Sequence, residues 1–196
     1  MKQVWLLVLS AIVLTIGAFA WFGRTIAPAP ETIVASSLQA MQAQNRLTVF
    51  AARYVTVVST TRTRLGLAAE KTLILPAMVR YEVDLAKLRQ DDLRWDAGSK
   101  TLTVTLPAIT IAGPEFDLPA AREYDSGGVL MALTDIEARL DADNRAKAQK
   151  DVLAQAQAID MLRLARDAAV RAVSTSFAMP LAAAGVEAQV KVEVAT

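Results

Sequence analysis

The chain has 196 residues, with 21 Lys and Arg against 20 Asp and Glu and neither His nor Cys. Without His there is no Ser-His-Asp triad, imidazole base or His-ligated metal. Without Cys there is no thiolate nucleophile, disulfide, cysteine–zinc site, iron–sulfur cluster or covalently attached c-type haem. One domain is expected at this length, yet the mean hydropathy of +0.32 is high for a purely soluble protein.

Much of that excess lies near the N-terminus. From Val4 to Phe22 every residue is apolar except Ser10, Thr15 and Gly17, and none is charged. Nineteen residues at helical rise span about 28 Å, close to the roughly 30 Å of a bilayer's hydrocarbon. Lys2 precedes the stretch, and Trp5, Trp21 and Phe22 sit where aromatic side chains favour the interface. Ala18-Phe19-Ala20 satisfies the small-x-small rule for signal peptidase, so cleavage after Ala20 is an alternative. The run is longer than a usual signal h-region and continues past that cut, which favours an uncleaved anchor over 1–24. A segment buried in the fold is the third reading. Two positive charges before the span, against Arg24 after it, favour a cytoplasmic N-terminus and an exported domain. Beyond Arg24 the chain has 19 basic and 20 acidic residues, a balance that lacks the footprint of a nucleic-acid binder.

Residues 25–30 contain Pro28 and Pro30 and read as a stiff spacer. A single domain over 31–196 follows. Ile33, Val34, Leu38 and Met41 recur at helical spacing and predict an amphipathic helix over 31–45. From Leu47 to Arg62, Val49, Arg53, Val55 and Val57 alternate against Phe50, Tyr54, Thr56 and Val58, which predicts a strand. Gly66 marks a turn, and a second β-type run extends from Thr72 to Val83, with Pro76 confining its position to an edge or bulge. Asp84 to Leu88 reads as a helical turn capped by the Asp84 carboxylate. Leu93 to Trp95 and Lys100 to Leu106 predict a hairpin around Asp96-Ala97-Gly98-Ser99, with Leu102, Val104 and Leu106 on one face. Ile109 to Gly128 is broken by Pro114, Pro119, Gly113, Gly127 and Gly128 and reads as loop with at most one short strand. Thr134-Asp135-Ile136-Glu137 is a capping-box pattern. From there to Met179 neither Gly nor Pro appears, so one Ala-rich helix of some 40 residues is expected. Pro180 and Gly185 close it, and Val186 to Val194 alternate as a half-exposed terminal strand.

Several of these segments carry a family resemblance. Leu47 heads the first strand; Tyr81-Glu82-Val83-Asp84-Leu85-Ala86-Lys87-Leu88 and Leu102-Thr103-Val104-Thr105-Leu106-Pro107 follow. Tyr124-Asp125 precedes the helix, and the Ala-rich helix runs into Gly185. Over about residues 31 to 194 the chain resembles the bacterial domain of unknown function 4230 family. The resemblance implies a single-span membrane protein with no assigned activity, and so a location and an architecture, not a chemistry. The order of sheet, long helix, Gly and final strand also resembles, at fold level alone, the prohibitin/stomatin domain of membrane scaffolds.

Few candidate chemistries remain. Glu115, Asp117, Glu123 and Asp125 form an acidic cluster in the Pro/Gly stretch, where paired carboxylates would suit acid–base work or Ca²⁺; the plainer reading is a solvated loop. Asp141-Ala142-Asp143-Asn144 resembles a calcium loop but lacks its glycine, having Ala146 instead. Ser99-Lys100 has no Ser-x-x-Lys spacing, and Gly127-Gly128 is too short for a phosphate loop. Val152, Ala156, Ile159, Val170, Val173 and Phe177 share a helical side that also holds Arg163 and Arg166. Those arginines either snorkel, pair with Asp160 or Asp167, or make ion pairs to another subunit, and Arg53 raises the same question on the first strand. The expectation is an α+β protein: a small, mainly antiparallel sheet, a long C-terminal helix and a terminal strand, tethered by one span. It is a non-enzymatic protein of the bacterial inner membrane with a periplasmic domain. Its partners are the bilayer through Val4 to Phe22 and a second copy or a membrane protein, with no nucleic acid, metal or cofactor. Ile159, Arg163, Arg166, Val170, Val173 and Phe177 are its candidate interaction stripe. A carboxylate-dependent hydrolase on an envelope polymer and a cleaved secreted binding module are the alternatives.

Overall fold

The computed structural model describes residues 12–17, 28–64, 66–126 and 128–195. Residues 12–17 are helical (α1), with Ile12, Val13, Leu14 and Ile16 exposed. The rest of the Val4 to Phe22 stretch lies outside the described residues. Among those described, no helix is long and apolar enough to cross a membrane. The chain continues through α2 (Pro30–Gln42), β1 (Arg46–Arg64), β2 (Leu67–Asp84), β3 (Leu93–Asp96), β4 (Thr101–Leu106), β5 (Thr110–Phe116) and β6 (Arg122–Ser126). Three helices follow, α3 (Gly128–Leu133), α4 (Ile136–Ala156) and α5 (Ile159–Ala183), and β7 (Gln189–Val194) ends it. The class is α+β, but the strands form two sheets, not one.

α2 buries Val34, Leu38 and Met41, as their spacing requires. Pro30 belongs to this helix and not to the spacer, because at the first helical position its missing N–H is one that would go unpaired anyway. β1 and β2 form an antiparallel hairpin paired from Arg46↔Asp84 to Arg64↔Leu67, about 60 Å long at strand rise. A bulge at Thr48/Phe50 turns Val49 inward beside Phe50 and removes it from the face shared by Arg53, Val55 and Val57.

β2 is central, with β1 on one side and β5 and β6 end to end on the other. Pro76 therefore sits in a central strand and not at an edge. Its carbonyl accepts from Asp117 N at 2.9 Å, on the side away from β1, so its nitrogen faces the gap between β5 and β6 where no ladder donor is needed. The Pro/Gly stretch from Ile109 holds two strands where the sequence allows one at most. Gly113 makes β5 possible: its φ is +106°, and a Cβ there would lie 3.0 Å from the Met78 carbonyl, beside the register shift at Met78/Arg80.

The second sheet has the order β3-β4-β7. Leu102, Val104 and Leu106 are fully buried as the alternation requires, and β7 pairs with β4 in parallel. Two caps depart from expectation. The Asp84 carboxylate makes no cap bond and pairs with Lys87 at 3.4 Å. Thr134 Oγ1 donates back to Leu130 O at 2.6 Å and accepts from Ile136 N at 3.4 Å, not from Glu137 N, so the capping box does not form and Asp135 is the N-cap of α4.

The 40-residue helix is two helices. Ala158 is extended (φ −59°, ψ 141°) and separates α4 from α5. No glycine or proline causes this; tertiary contacts do. The Tyr81 hydroxyl donates to Ala156 O at 2.8 Å and thereby satisfies one of the carbonyls left open by the break. With its only proton engaged there, Tyr81 accepts from the Tyr54 hydroxyl at 2.9 Å. Pro180 lies inside α5, which continues to Ala183. Gly185 (φ +76°) ends it: Val186 N bonds Leu181 O and Gly185 N bonds Ala182 O, both at 2.9 Å, a Schellman arrangement. The largest core unites α2, the C-terminal half of α5 and the small sheet. In it Leu102, Val104 and Leu106 of β4 cluster with Val173, Phe177 and Leu181 of α5 and with Val34, Leu38 and Met41 of α2.

Candidate functional site

α4 packs along the hairpin, and its buried residues follow one row at four-residue spacing: Ile136, Leu140, Asn144, Ala148, Val152 and Ala156. Such a row drifts by about 40° per step around a 3.6-residue helix. The contact line is therefore oblique to the axis and matches a twisted two-stranded ribbon.

A charged seam runs beside this row. Lys71, on the inner face of β2, has a side chain 4% exposed. Its ammonium meets Glu123 of β6 at 2.9 Å, Glu137 of α4 at 3.7 Å, and Asp141 one turn further along α4. Burial disfavours the charge, but hydrogen bonds to Asp141 and Glu123, with their charges, outweigh it and raise the Lys71 pKa above its ordinary value. The Lys71 carbonyl accepts from Asn144 Nδ2 at 2.8 Å, and Asn144 Oδ1 accepts from Thr60 Oγ1 at 2.7 Å. Lys147 Nζ donates to Thr60 Oγ1 at 2.7 Å and to Ser59 O at 2.9 Å. Arg62 pairs with Asp143, and Thr56 Oγ1 donates to Asp151. Among the described residues no buried side-chain polar atom lacks a partner. Asp141 and Asp143 thus serve two different cations of the hairpin, not a calcium loop. The seam ties β2, β6 and α4 together.

The acidic cluster is spread over β5, the turn after it and β6. Glu115 pairs with Arg80 at 2.7 Å, Asp117 with Arg53 at 3.2 Å and Glu123 with Lys71, while Asp125 is the register partner of Lys71 on exposed β6. The hydrogen bond and charge of Arg80 hold the Glu115 carboxyl below its usual range. Where Glu123, Glu137 and Asp141 converge, the centre is filled by the Lys71 ammonium. Among the described residues no group of three or more acidic side chains is placed to hold a metal ion.

The helical stripe is divided. Within α5 the buried row is Ala165, Ala169, Val173, Phe177 and Leu181, again at four-residue spacing. Val173 and Phe177 are core, Val170 is half-buried, and Ile159 (83% exposed), Arg163 and Arg166 face solvent. The oblique row explains the split, since it crosses the predicted stripe and does not follow it. Arg163 pairs with Asp160 at 3.1 Å, and Arg53 with Asp117, so both arginines are held within the chain.

Another surface is apolar and open. On the outer face of the hairpin Val55 and Val57 are 56% and 63% exposed, with Met78 beside Arg53 in the same sheet and Tyr124 on β6 also exposed. β1 is an edge strand: among the described residues no strand pairs with its other side. The sequence signal was present in the Val55 and Val57 alternation, but periodicity alone does not say which face is covered. Lys71 was equally visible, as a lone cation in the inward series from Ala69 to Val83. Glu137 and Asp141, like charges one helical turn apart, signal a shared counter-ion.

The family model described as a protein of unknown function, DUF4230, matches residues 39–192. This bears out the first family resemblance; the match lends nothing to the prohibitin/stomatin one. No curated protein and no solved structure matches the chain.

Proposed function

Since the chain belongs to the DUF4230 family, which has no assigned activity, we propose from its geometry a membrane-anchored, non-enzymatic protein of the bacterial envelope that works through protein–protein contact. The anchor is Val4 to Phe22, with the N-terminus cytoplasmic and the domain in the periplasm. The contact surface is the free edge of β1 with the exposed apolar face around Val55 and Val57, and the partner is a second copy of the chain. The unpaired edge of a 19-residue strand is the observation that carries this reading. An exposed edge is a template for strand pairing, and a two-fold axis through β1 makes each edge the complement of the other. Three of its four arginines do not forbid this, because Arg46, Arg53 and Arg62 pair with Glu82, Asp117 and Asp143 of their own chain, and the fourth, Arg64, lies at the far end of the strand. Anchoring in one bilayer raises the effective concentration, so a weak edge contact suffices.

The pairing of Glu115, Asp117 and Glu123 with separate cations speaks for the non-enzymatic reading over a carboxylate hydrolase. Native electrophoresis of the detergent-extracted full chain tests the proposal. Wild type is expected as a dimer or larger, and V55K/V57K as a monomer. A wild-type monomer with no co-purifying partner contradicts it. N-terminal sequencing separates the anchored form from one that starts at Trp21.

A further inference from the structure

A groove of about 610 Å³ separates α2 from the C-terminal half of α5, walled by Pro28, Ile33, Ser37, Ala40, Ser176 and Met179 among others. Among the described residues no charged one lines it. The absence of charge extends beyond the groove: residues 32–45, and likewise 172–186, contain no Asp, Glu, Lys or Arg. These two segments lie together, whereas residues 135–151 on α4 are rich in charge. The domain thus carries an uncharged strip along α2 and the C-terminal half of α5. Much of that strip faces outward: Thr32, Ser36, Ala40, Gln44 and Ser176 are exposed, and Met179 is 67% exposed.

Two more observations say what covers it. Two of the four groove hydroxyls are already used: Ser36 Oγ donates to Thr32 O at 2.9 Å and Ser176 Oγ to Ala172 O at 3.0 Å. Hydrocarbon laid against Ser36 and Ser176 leaves neither donor unpaired, which lowers the usual penalty for drying a polar group. The chain also dictates proximity. Pro28 forms part of the groove, and Phe22, the end of the apolar stretch, is six residues earlier, within about 20 Å even at full extension. From Thr32 to Met41 the groove follows α2 for about 14 Å, comparable to the roughly 15 Å hydrocarbon depth of one leaflet.

We propose that this uncharged α2/α5 side lies on the bilayer and that its groove takes an acyl chain of a membrane phospholipid. The inference rests on the anchored reading of Val4 to Phe22. The cysteine-free chain makes the test direct. S37C and S176C in the groove, and T61C on the hairpin, are each labelled with bimane in the full chain in phosphatidylcholine vesicles containing a phospholipid with a nitroxide on its acyl chain. Fluorescence is expected to be lost at S37C and S176C and retained at T61C. Carbonate extraction of the same vesicles reports the anchor separately. Chain that resists extraction yet shows no loss at S37C and S176C overturns the groove inference and leaves the anchor standing. Chain released by carbonate overturns the anchored reading and this inference with it. Cysteine cross-links between copies at S37C and S176C, without lipid quenching, assign the groove to a second chain and overturn the lipid.

Discussion

Replacing Lys71 by Met removes the cation that three carboxylates share. The side chain is 4% exposed, while Asp141 is 28%, Glu123 46% and Glu137 56% exposed. Breaking a fully buried pair costs about 3–5 kcal/mol. Here the carboxylates retain partial access to water, so the expected cost is about 2–4 kcal/mol, scaled down for that screening. In a domain of this size each kcal/mol lowers Tm by about 2–4 °C, so a fall of roughly 5–15 °C is expected in thermal unfolding of the full chain in detergent, followed by circular dichroism. The pH dependence carries a second signature. Because the folded Lys71 pKa is raised, its contribution is complete below the unfolded value of about 10.4 and is lost as pH rises toward the folded value. The Tyr81 hydroxyl, whose pKa is raised by burial and by its bond with Tyr54, weakens the fold in the same alkaline window. The lysine's share is therefore the difference between wild type and K71M, which should narrow above about pH 10.4. A loss under about 1 kcal/mol, within the range of an ordinary surface ion pair, or a gap that does not narrow, refutes the shared-cation reading.

Three further outcomes follow from the geometry. Y81F leaves the Ala156 carbonyl without its donor and Tyr54 without its acceptor, and should cost about 1–3 kcal/mol in urea unfolding, against about 0.5–1.5 for Y54F; in the double variant the two losses should not add. G113A should destabilise more than G185A in the same assay. Both need a positive φ, but the Gly113 Cβ would also press on the Met78 carbonyl, whereas that of Gly185 meets open space. The stability that Glu115 draws from Arg80 is present above the unfolded carboxylate value of about 4.3 and is lost as pH falls through the lower folded value. An acid titration of stability should consequently be shallower in E115Q than in wild type.

The elements whose pattern is enforced by one covered face were legible in the sequence. β4 buries Leu102, Val104 and Leu106, β7 half-buries Val190, Val192 and Val194, and α2 buries Val34, Leu38 and Met41, each at the period of its element. What escaped was set by partners distant in sequence. β5 looks like loop because Gly113 and Pro114 are strand breakers, and only the bulge against Met78 shows why they are tolerated, while β6 is hidden between Pro119 and Gly127-Gly128. The break at Ala158 has no local cause, since the Tyr81 hydroxyl that meets it comes from a strand 75 residues away. The residues of the expected interaction stripe do not share one face for a related reason: two oblique four-residue rows replace one straight face. The acidic residues could be found from sequence, but not the arginine and lysine that each would meet.

The most direct test of edge pairing is a single-cysteine scan along β1 in the membrane-embedded full chain, with oxidative cross-linking at positions 53 to 61. Pairing about a two-fold axis predicts a maximum at one residue near Val57 and a decline on both sides, with no product from a cysteine at Glu193 on the other sheet. Uniformly absent cross-links along β1, in chain that remains in the membrane, would contradict it.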